Sequence, residues 1–262
     1  MKYDEVLKTA AGQSANDFLC RPDDFFSDAY TIISVPQTPD SMMTQHKSCY
    51  DIPHFCSMAC FGKGTVAAAA PELIPFMQIY LEKNNGYHSF DSPQLSALNK
   101  ELSKFNQEIR YIALYYLPDR LLLENAAGNF SKPDELKIRI FEEKDIAQFY
   151  TDDRFHNAFD YGADTGRKDV LAAAGYVDGR LAGIAGASND AEHMFQIGID
   201  VIPGFRQRGI ASALVRTLAD EILRRGVIPY YSCAWSNIPS QNTATASGFC
   251  SAWVELGSRP FV

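Results

Sequence analysis

Apolar positions recur at helical spacing in some stretches of the chain and alternate or run together in others, and the second half is patterned more clearly than the first. Residues 29–35 are rich in β-branched and aromatic side chains and stop at a loop with Pro36 and Pro39, which predicts a strand. Farther on, Ser92 as N-cap and Pro93 at the first helical position precede Leu95, Leu98, Leu102 and Phe105. That spacing sets one apolar stripe against a core and predicts a helix. A second helix is expected over 71–84, and a strand over 109–117 ending at Pro118-Asp119. Without a regular βαβ rhythm, this half reads as α+β.

Turn formers then dominate residues 124–134, so the expected domains are 1–135 and 136–262. Residues 137–141 alternate as a strand, and Glu142, Glu143 and Asp145 suit the first turn of a helix through its dipole. Two apolar runs, 170–177 and 181–187, flank Asp178-Gly179-Arg180, a hairpin signature because Asp-Gly tolerates the positive φ angles of a tight turn. Residues 195–201 place Ile197, Ile199 and Val201 on one face of a strand and Gln196, Gly198 and Asp200 on the other. Pro203-Gly204 ends that strand. A helix over 209–225 follows, with Ile210, Leu214, Leu218 and Ile222 in one stripe and Gly226 as terminator. Amides at such a helix start are unpaired and sit at the positive end of the dipole, so they stabilise a phosphate. A glycine there serves a purely steric purpose just as readily. No G-x-G-x-x-G and no Gly-Lys-Ser/Thr occurs, which sets aside the dinucleotide and Walker classes.

With 262 residues, 46% of them apolar and 21% charged, the composition is that of a globular protein with a sizeable core. A formal charge of −8 repels polyanions, so nucleic acid is not expected as a partner. The start lacks the apolar stretch of a secretory signal, and the most apolar span, 64–81, is broken by Pro71, Glu72, Pro75 and Gln78. A cytoplasmic protein without membrane contact is expected. Its six cysteines, Cys20, Cys49, Cys56, Cys60, Cys233 and Cys250, then read as reduced thiols.

Several motifs in order carry a more specific signal. Val201-Ile202-Pro203 closes a strand, Arg206-x-x-Gly209-x-Ala211 opens a helix, and 230–235 reads as the next strand. Asn237-x-x-Ser240 and Ser247-Gly248-Phe249 follow. Together they make residues 136–262 resemble the GNAT superfamily of acetyl-CoA-dependent N-acetyltransferases. The resemblance implies a mixed, mostly antiparallel sheet flanked by helices, with a V-shaped splay between two parallel strands, after an α+β N-terminal domain. It implies acetyl-CoA as co-substrate and no metal. Backbone groups of Ile199 and Val201 would pair with pantetheine, and the amides of Arg206, Gln207, Arg208, Gly209, Ile210, Ala211 and Ser212 would hold the pyrophosphate. Asn237 and Ser240 would contact the CoA arm.

The implied reaction is attack of a neutral amine of a small molecule or peptide on the thioester. Where many relatives carry a strand carboxylate as base, this chain has Gln196, which cannot serve as one. Asp200 on the same face is the expected substitute, set against a structural carboxylate bonded to backbone. Where relatives carry a tyrosine acid, this chain has Ala244, and Tyr231 is the expected replacement. Cys233 shares the Tyr231 face and is expected to be an inert buried thiol. The first domain would cover the acceptor side or form a homodimer contact. The competing reading is a non-catalytic acyl-CoA-binding module with a degenerate site. One further cluster, His46, Cys49, His54, Cys56 and Cys60, holds ligand-type residues but fits no paired zinc-knuckle spacing, so no metal is expected there.

Overall fold

The computed structural model describes residues 1–35, 54–124, 130–159 and 168–261. The chain forms two compact units, each drawn from two stretches: Leu7–Tyr115 with Ala252–Val262, and Met1–Val6 with Tyr116–Ser251. This interleaving differs from the single boundary expected near Leu136.

In chain order the first elements are α1 (Tyr3–Phe18), β1 (Thr31–Ser34), β2 (Cys56–Cys60), β3 (Thr65–Ala69), α2 (Ile74–Lys83), α3 (Ser92–Ser103) and β4 (Gln107–Pro118). They are followed by α4 (Arg120–Glu124), β5 (Lys137–Glu142), α5 (Glu143–Ile146), β6 (Asp169–Val177), β7 (Arg180–Ser188) and β8 (Met194–Val201). The last are α6 (Ile210–Arg224), β9 (Ile228–Ala234), α7 (Ile238–Ala246) and β10 (Phe249–Pro260).

In the Leu7–Tyr115 unit, β1 runs parallel to β3, β3 antiparallel to β2, and β2 antiparallel to β10 from Val254↔Cys60 to Gly257↔Ser57. Met58, Leu73, Met77, Leu81, Leu98, Leu102 and Leu256 form its core. The α3 stripe buries Leu95, Leu98 and Leu102 as its spacing predicts, with Asp91 rather than Ser92 at the N-cap position. In the helix expected over 71–84, Pro71–Leu73 forms a 3₁₀ turn and the α-helix proper starts at Ile74, with Pro75 in its first turn where the missing N–H costs nothing. Strands β2 and β3 are buried almost throughout, so neither shows the alternation that marks a half-exposed strand. Cys56 and Cys60 are packing residues of β2, and burial pushes the Cys56 thiol up to about 12. His46 and Cys49 lie outside the described residues; among the described residues no group of three or more His, Cys, Asp or Glu is placed to hold a metal ion.

In the Tyr116–Ser251 unit, β5, β6, β7 and β8 are successively antiparallel and β9 joins β8 in parallel, the mixed sheet expected of this half. The β6–β7 turn has φ of 50° at Asp178 and 74° at Gly179, the pair of left-handed conformations that suits a tight hairpin. Helix α6 packs on β6, β7 and β8 and buries Ile210, Leu214, Leu218 and Ile222. Each such side chain contributes roughly 1.5–3 kcal/mol when removed from water. A second core gathers Phe141, Ile146, Phe149, Phe155, Phe159 and Ile184 under β5 to β7. Among the described residues no helix is long and apolar enough to cross a membrane.

A carboxyl group is set among rings in the Leu7–Tyr115 unit. Trp253 stacks between Phe61, at 4.9 Å, and Tyr115, at 4.6 Å. Two residues on, Glu255 accepts from Tyr111 OH at 2.9 Å. Gly257 admits the Tyr111 ring, since a Cβ there would sit 2.6 Å from it. Burial, aided by the Asp17 charge and opposed by the Tyr111 hydrogen bond, pushes Glu255 from an ordinary 4.5 up to about 7. A carboxyl whose pKa rises on folding favours the folded state while protonated, and that contribution is lost as pH climbs through about 7. We therefore expect Glu255→Gln to gain stability relative to the parent between pH 5 and pH 8 by up to about 3 kcal/mol, less whatever water still reaches the half-buried group. Urea unfolding at the two pH values measures it; a pH-independent difference contradicts the assignment.

Candidate functional site

The parallel pairing of β8 with β9 runs from Met194↔Ile228 to Ile197↔Tyr231, while β8 remains paired to β7 as far as Gly183↔Val201. Beyond Ile197 the two parallel strands therefore part, and one edge of β8 opens from Gly198 to Val201. An unpaired strand edge presents backbone donors and acceptors to whatever lies beside it. Ile199 and Val201, both half-buried, lie along this edge. The Val201 carbonyl already accepts from Arg206 Nε at 3.0 Å.

The chain then turns through Pro203–Phe205 into α6. Gln207 has φ of 60° and Gly209 φ of 74°, so two left-handed residues curl the loop back onto the helix start. Gly209 occupies the N-cap position, where no side chain caps the helix. The amides of Ile210, Ala211 and Ser212 are thus first-turn donors at the positive end of a 15-residue helix. Among the described residues a Cβ at Gly209 would meet only Pro133, at 3.9 Å, and its φ of 74° makes the requirement for glycine conformational. The two arginines are aimed elsewhere. Arg206 folds back on Val201, and Arg208 pairs with Glu135 at 2.7 Å. The glutamate's own backbone amide and the Arg208 guanidinium hold Glu135 below the ordinary carboxylate range.

On the far side of the opening, Asn237 caps α7, its Oδ1 accepting from Ser240 N at 3.2 Å. Ser240 Oγ lies 2.7 Å from Tyr231 OH. Tyr231 is 2% exposed, and burial pushes it up to about 12, so it stays protonated at neutral pH. Cys233, on the same face of β9, interacts with Ser240 and with Tyr116 at the end of β4, and burial raises its thiol. Tyr231 and Ser240, singled out separately in the sequence, are brought together; Tyr116 was missed, because nothing in its local sequence distinguishes it from a core tyrosine. Ala244, one turn beyond Ser240, is fully buried.

On the opposite face of β8, the Asp200 carboxylate accepts from Asn157 N and Nδ2, both at 2.7 Å, and from Ala158 N at 3.1 Å. Its oxygens are committed to the 157–158 turn, the structural role that the sequence set against a catalytic one. Glycines make that docking possible: a Cβ at Gly198 would lie 1.9 Å from the Asn157 carbonyl oxygen, and one at Gly186 1.9 Å from that of Ala158. Gln196 on this face donates Nε2–H to Ser232 Oγ at 2.8 Å.

Residues 135–249 match the family model described as acetyltransferase (GNAT) family. No curated protein is similar to the chain. Among solved structures, an acetyltransferase of the GNAT family from Novosphingobium aromaticivorans is 20% identical over 58% of this chain and 66% of its own, with a TM-score of 0.40. A GNAT-family acetyltransferase from Colwellia psychrerythraea is 18% identical over 62% of each chain, with a TM-score of 0.42. An aminoglycoside N-acetyltransferase, AAC(6')-Iy, in complex with CoA is 22% identical over 47% of this chain and 93% of its own, with a TM-score of 0.35. The chain covers less than two thirds of the length of the first two. Scores this low add nothing to the family match.

Alanine at position 198 is expected to push the 157–158 turn off the sheet and break the Asp200 bonds, costing about 1–3 kcal/mol. Urea denaturation of Gly198→Ala checks this. Parental stability would mean that the turn is not held by this contact.

Proposed function

We propose that this chain, whose residues 135–249 match the family model of GNAT acetyltransferases, is an acetyl-CoA-dependent N-acetyltransferase acting on a primary amine of a small molecule or peptide. The observation that carries the reading is the open edge of β8 leading directly into a helix start with no side-chain cap. Backbone at Ile199 and Val201 suits the amides of pantetheine, and the amides of 206–212 suit a pyrophosphate. With Arg206 and Arg208 turned to Val201 and Glu135, the backbone rather than guanidinium charge does most of the anion binding. Asn237 and Ser240 face the arm from α7.

On this reading the amine attacks the thioester carbon, and the C–S bond breaks as the tetrahedral adduct collapses. The departing thiolate takes a proton from Ser240 Oγ, which is replaced from Tyr231 OH, 2.7 Å behind it. Tyr231 thereby acts as acid through Ser240, in place of a residue at Ala244; the acylated nitrogen releases its extra proton to solvent, and Tyr231 regains one from solvent, so the step balances. Asp200 is a positioning residue, holding the turn that packs on this face of β8. The alternative, an acyl-CoA-binding module without turnover, is favoured by Gln196 and Ala244 at the positions where relatives carry base and acid.

Thiol release from acetyl-CoA across an amine panel, alongside thermal shifts with CoA, separates the two. Turnover with any amine supports the enzyme, a thermal shift without turnover supports the module, and the absence of both removes each. Gly209→Val forces a β-branched residue into a left-handed conformation and misaims the first-turn amides, so CoA affinity is expected to fall about tenfold or more. Isothermal titration with CoA measures it.

A further inference from the structure

With Gln196 unable to accept a proton and Asp200 bound to three donors, the base of this site has to be sought in side chains that lie near the parting of β8 and β9. Among the described residues, one buried carboxylate qualifies. Asp190, in the turn before β8, is 6% exposed. Its Oδ2 accepts from Tyr230 OH at 2.8 Å and its Oδ1 from Ser188 Oγ at 2.7 Å. Tyr230 is directly opposite Gln196 in the last but one pair before the strands part. The tyrosine hydroxyl lies 3.3 Å from Gln196 Oε1, and Gln196 Nε2 donates to Ser232 Oγ at 2.8 Å. The amide is thereby oriented: with its NH₂ turned to Ser232, its oxygen must face Tyr230. A continuous chain runs Ser232, Gln196, Tyr230, Asp190, from the apex of the opening into the protein. Tyr230 is half-buried. Its hydroxyl can accept a proton on one side while giving one up on the other, which the Gln196 amide cannot do.

Resting on the acetyltransferase reading, we propose that Tyr230 is the catalytic residue that removes the proton from the acceptor ammonium, with Asp190 as the positioning residue behind it that takes up the tyrosine's own proton. In this step an N–H bond of R–NH₃⁺ breaks and its electron pair stays on nitrogen. The proton bonds to the Tyr230 oxygen as the original O–H proton moves to Asp190 Oδ2. The products are R–NH₂, a neutral tyrosine and a neutral carboxylic acid. One positive and one negative charge are cancelled, and no further reactant is needed. The amine so formed then attacks the thioester, and Asp190 returns its proton to solvent after turnover. Gln196 has a place in this scheme that its chemistry allows: its oxygen, 3.3 Å from the Tyr230 oxygen, accepts from the newly bound proton once the original one has moved to Asp190.

The test compares two acceptors, an alkylamine that is an ammonium ion at neutral pH and an alkoxyamine that is already neutral. Tyr230→Phe is expected to lower kcat/KM for the alkylamine by about 100-fold, within the range of general base catalysis, while the alkoxyamine loses less than about tenfold. The KM for acetyl-CoA is expected to move by less than about twofold, as for a residue outside the binding of that substrate. Asp190→Asn should follow the same pattern, and Asp190→Glu should restore part of the alkylamine rate. Equal losses with both acceptors, or parental rates in Tyr230→Phe, would overturn the relay. Should the Asp190 variants fail to fold, the isosteric Tyr230→Phe, checked by its melting temperature, still decides. If it too fails to fold, a proton inventory on the parent enzyme in mixed light and heavy water does so: a curved plot with the alkylamine supports two protons in flight, and a linear one overturns the relay. A parent enzyme inactive with every amine would sink the acetyltransferase reading itself, whereas an active parent with uniform losses sinks the relay alone.

Discussion

Everything distinctive about the Tyr116–Ser251 unit depends on one interruption: β8 and β9 cease to pair after Ile197 and Tyr231. A strand that keeps one neighbour and loses the other has half of its backbone polar groups to satisfy from elsewhere. In a closed sheet these groups are hidden; here they line an opening whose floor is a continuous ladder with β7. The buried stripe of α6 on β6, β7 and β8 keeps the sheet together despite the gap, so the opening is backed by a rigid scaffold. The glycine loop at the end of β8 then turns the chain so that the next donors are helix amides rather than strand amides.

The two faces of β8 are thereby assigned different work. Toward α6 the side chains of β8 are apolar, and on the neighbouring β9 Tyr231 is buried with its polar tip on Ser240. Toward the 157–158 turn they are Gln196, Gly198 and Asp200, and here the strand accepts a second stretch of backbone at a distance that only glycine permits. A carboxylate that fixes this turn cannot at the same time collect a proton without loosening it. That conflict explains why a same-face carboxylate is a poor guide to the base, and why a carboxylate one turn upstream, reached through a tyrosine, is the better candidate.

Much of this was legible in the sequence where local chemistry is decisive. The β6–β7 hairpin, the α6 stripe and the Gly209 turn follow from Asp-Gly, from four-residue spacing and from a residue free to adopt positive φ. The α3 helix was equally plain. Strands β2 and β3 were not, because small residues and cysteines buried on both faces leave no period to read. Nor was α1, whose buried positions Ala10, Ala11 and Ala15 carry little contrast with their neighbours. At the site, the motif residues lie at the end of β8 and the starts of α6 and α7, and Gln196 stood out as an anomaly. Its partners did not, since Asp190 and Tyr230 lie 40 residues apart and meet only once the strands are paired. Long-range contacts of this kind leave no trace in local spacing.

The start of α6 has a consequence of another sort. A helix whose N-cap is glycine leaves its first-turn amides without a side-chain cap and forgoes a few tenths of a kcal/mol, by order of magnitude, that a serine or aspartate side chain there would contribute. An anion seated on those amides restores it, and adds its own binding energy to the folded state alone. On the proposed reading, resistance to unfolding would therefore follow the supply of CoA. In a cell that degrades what unfolds, such a chain would persist while the ligand is abundant and be cleared as it runs down. On that reading, leaving the helix uncapped would make the same amides serve both binding and persistence.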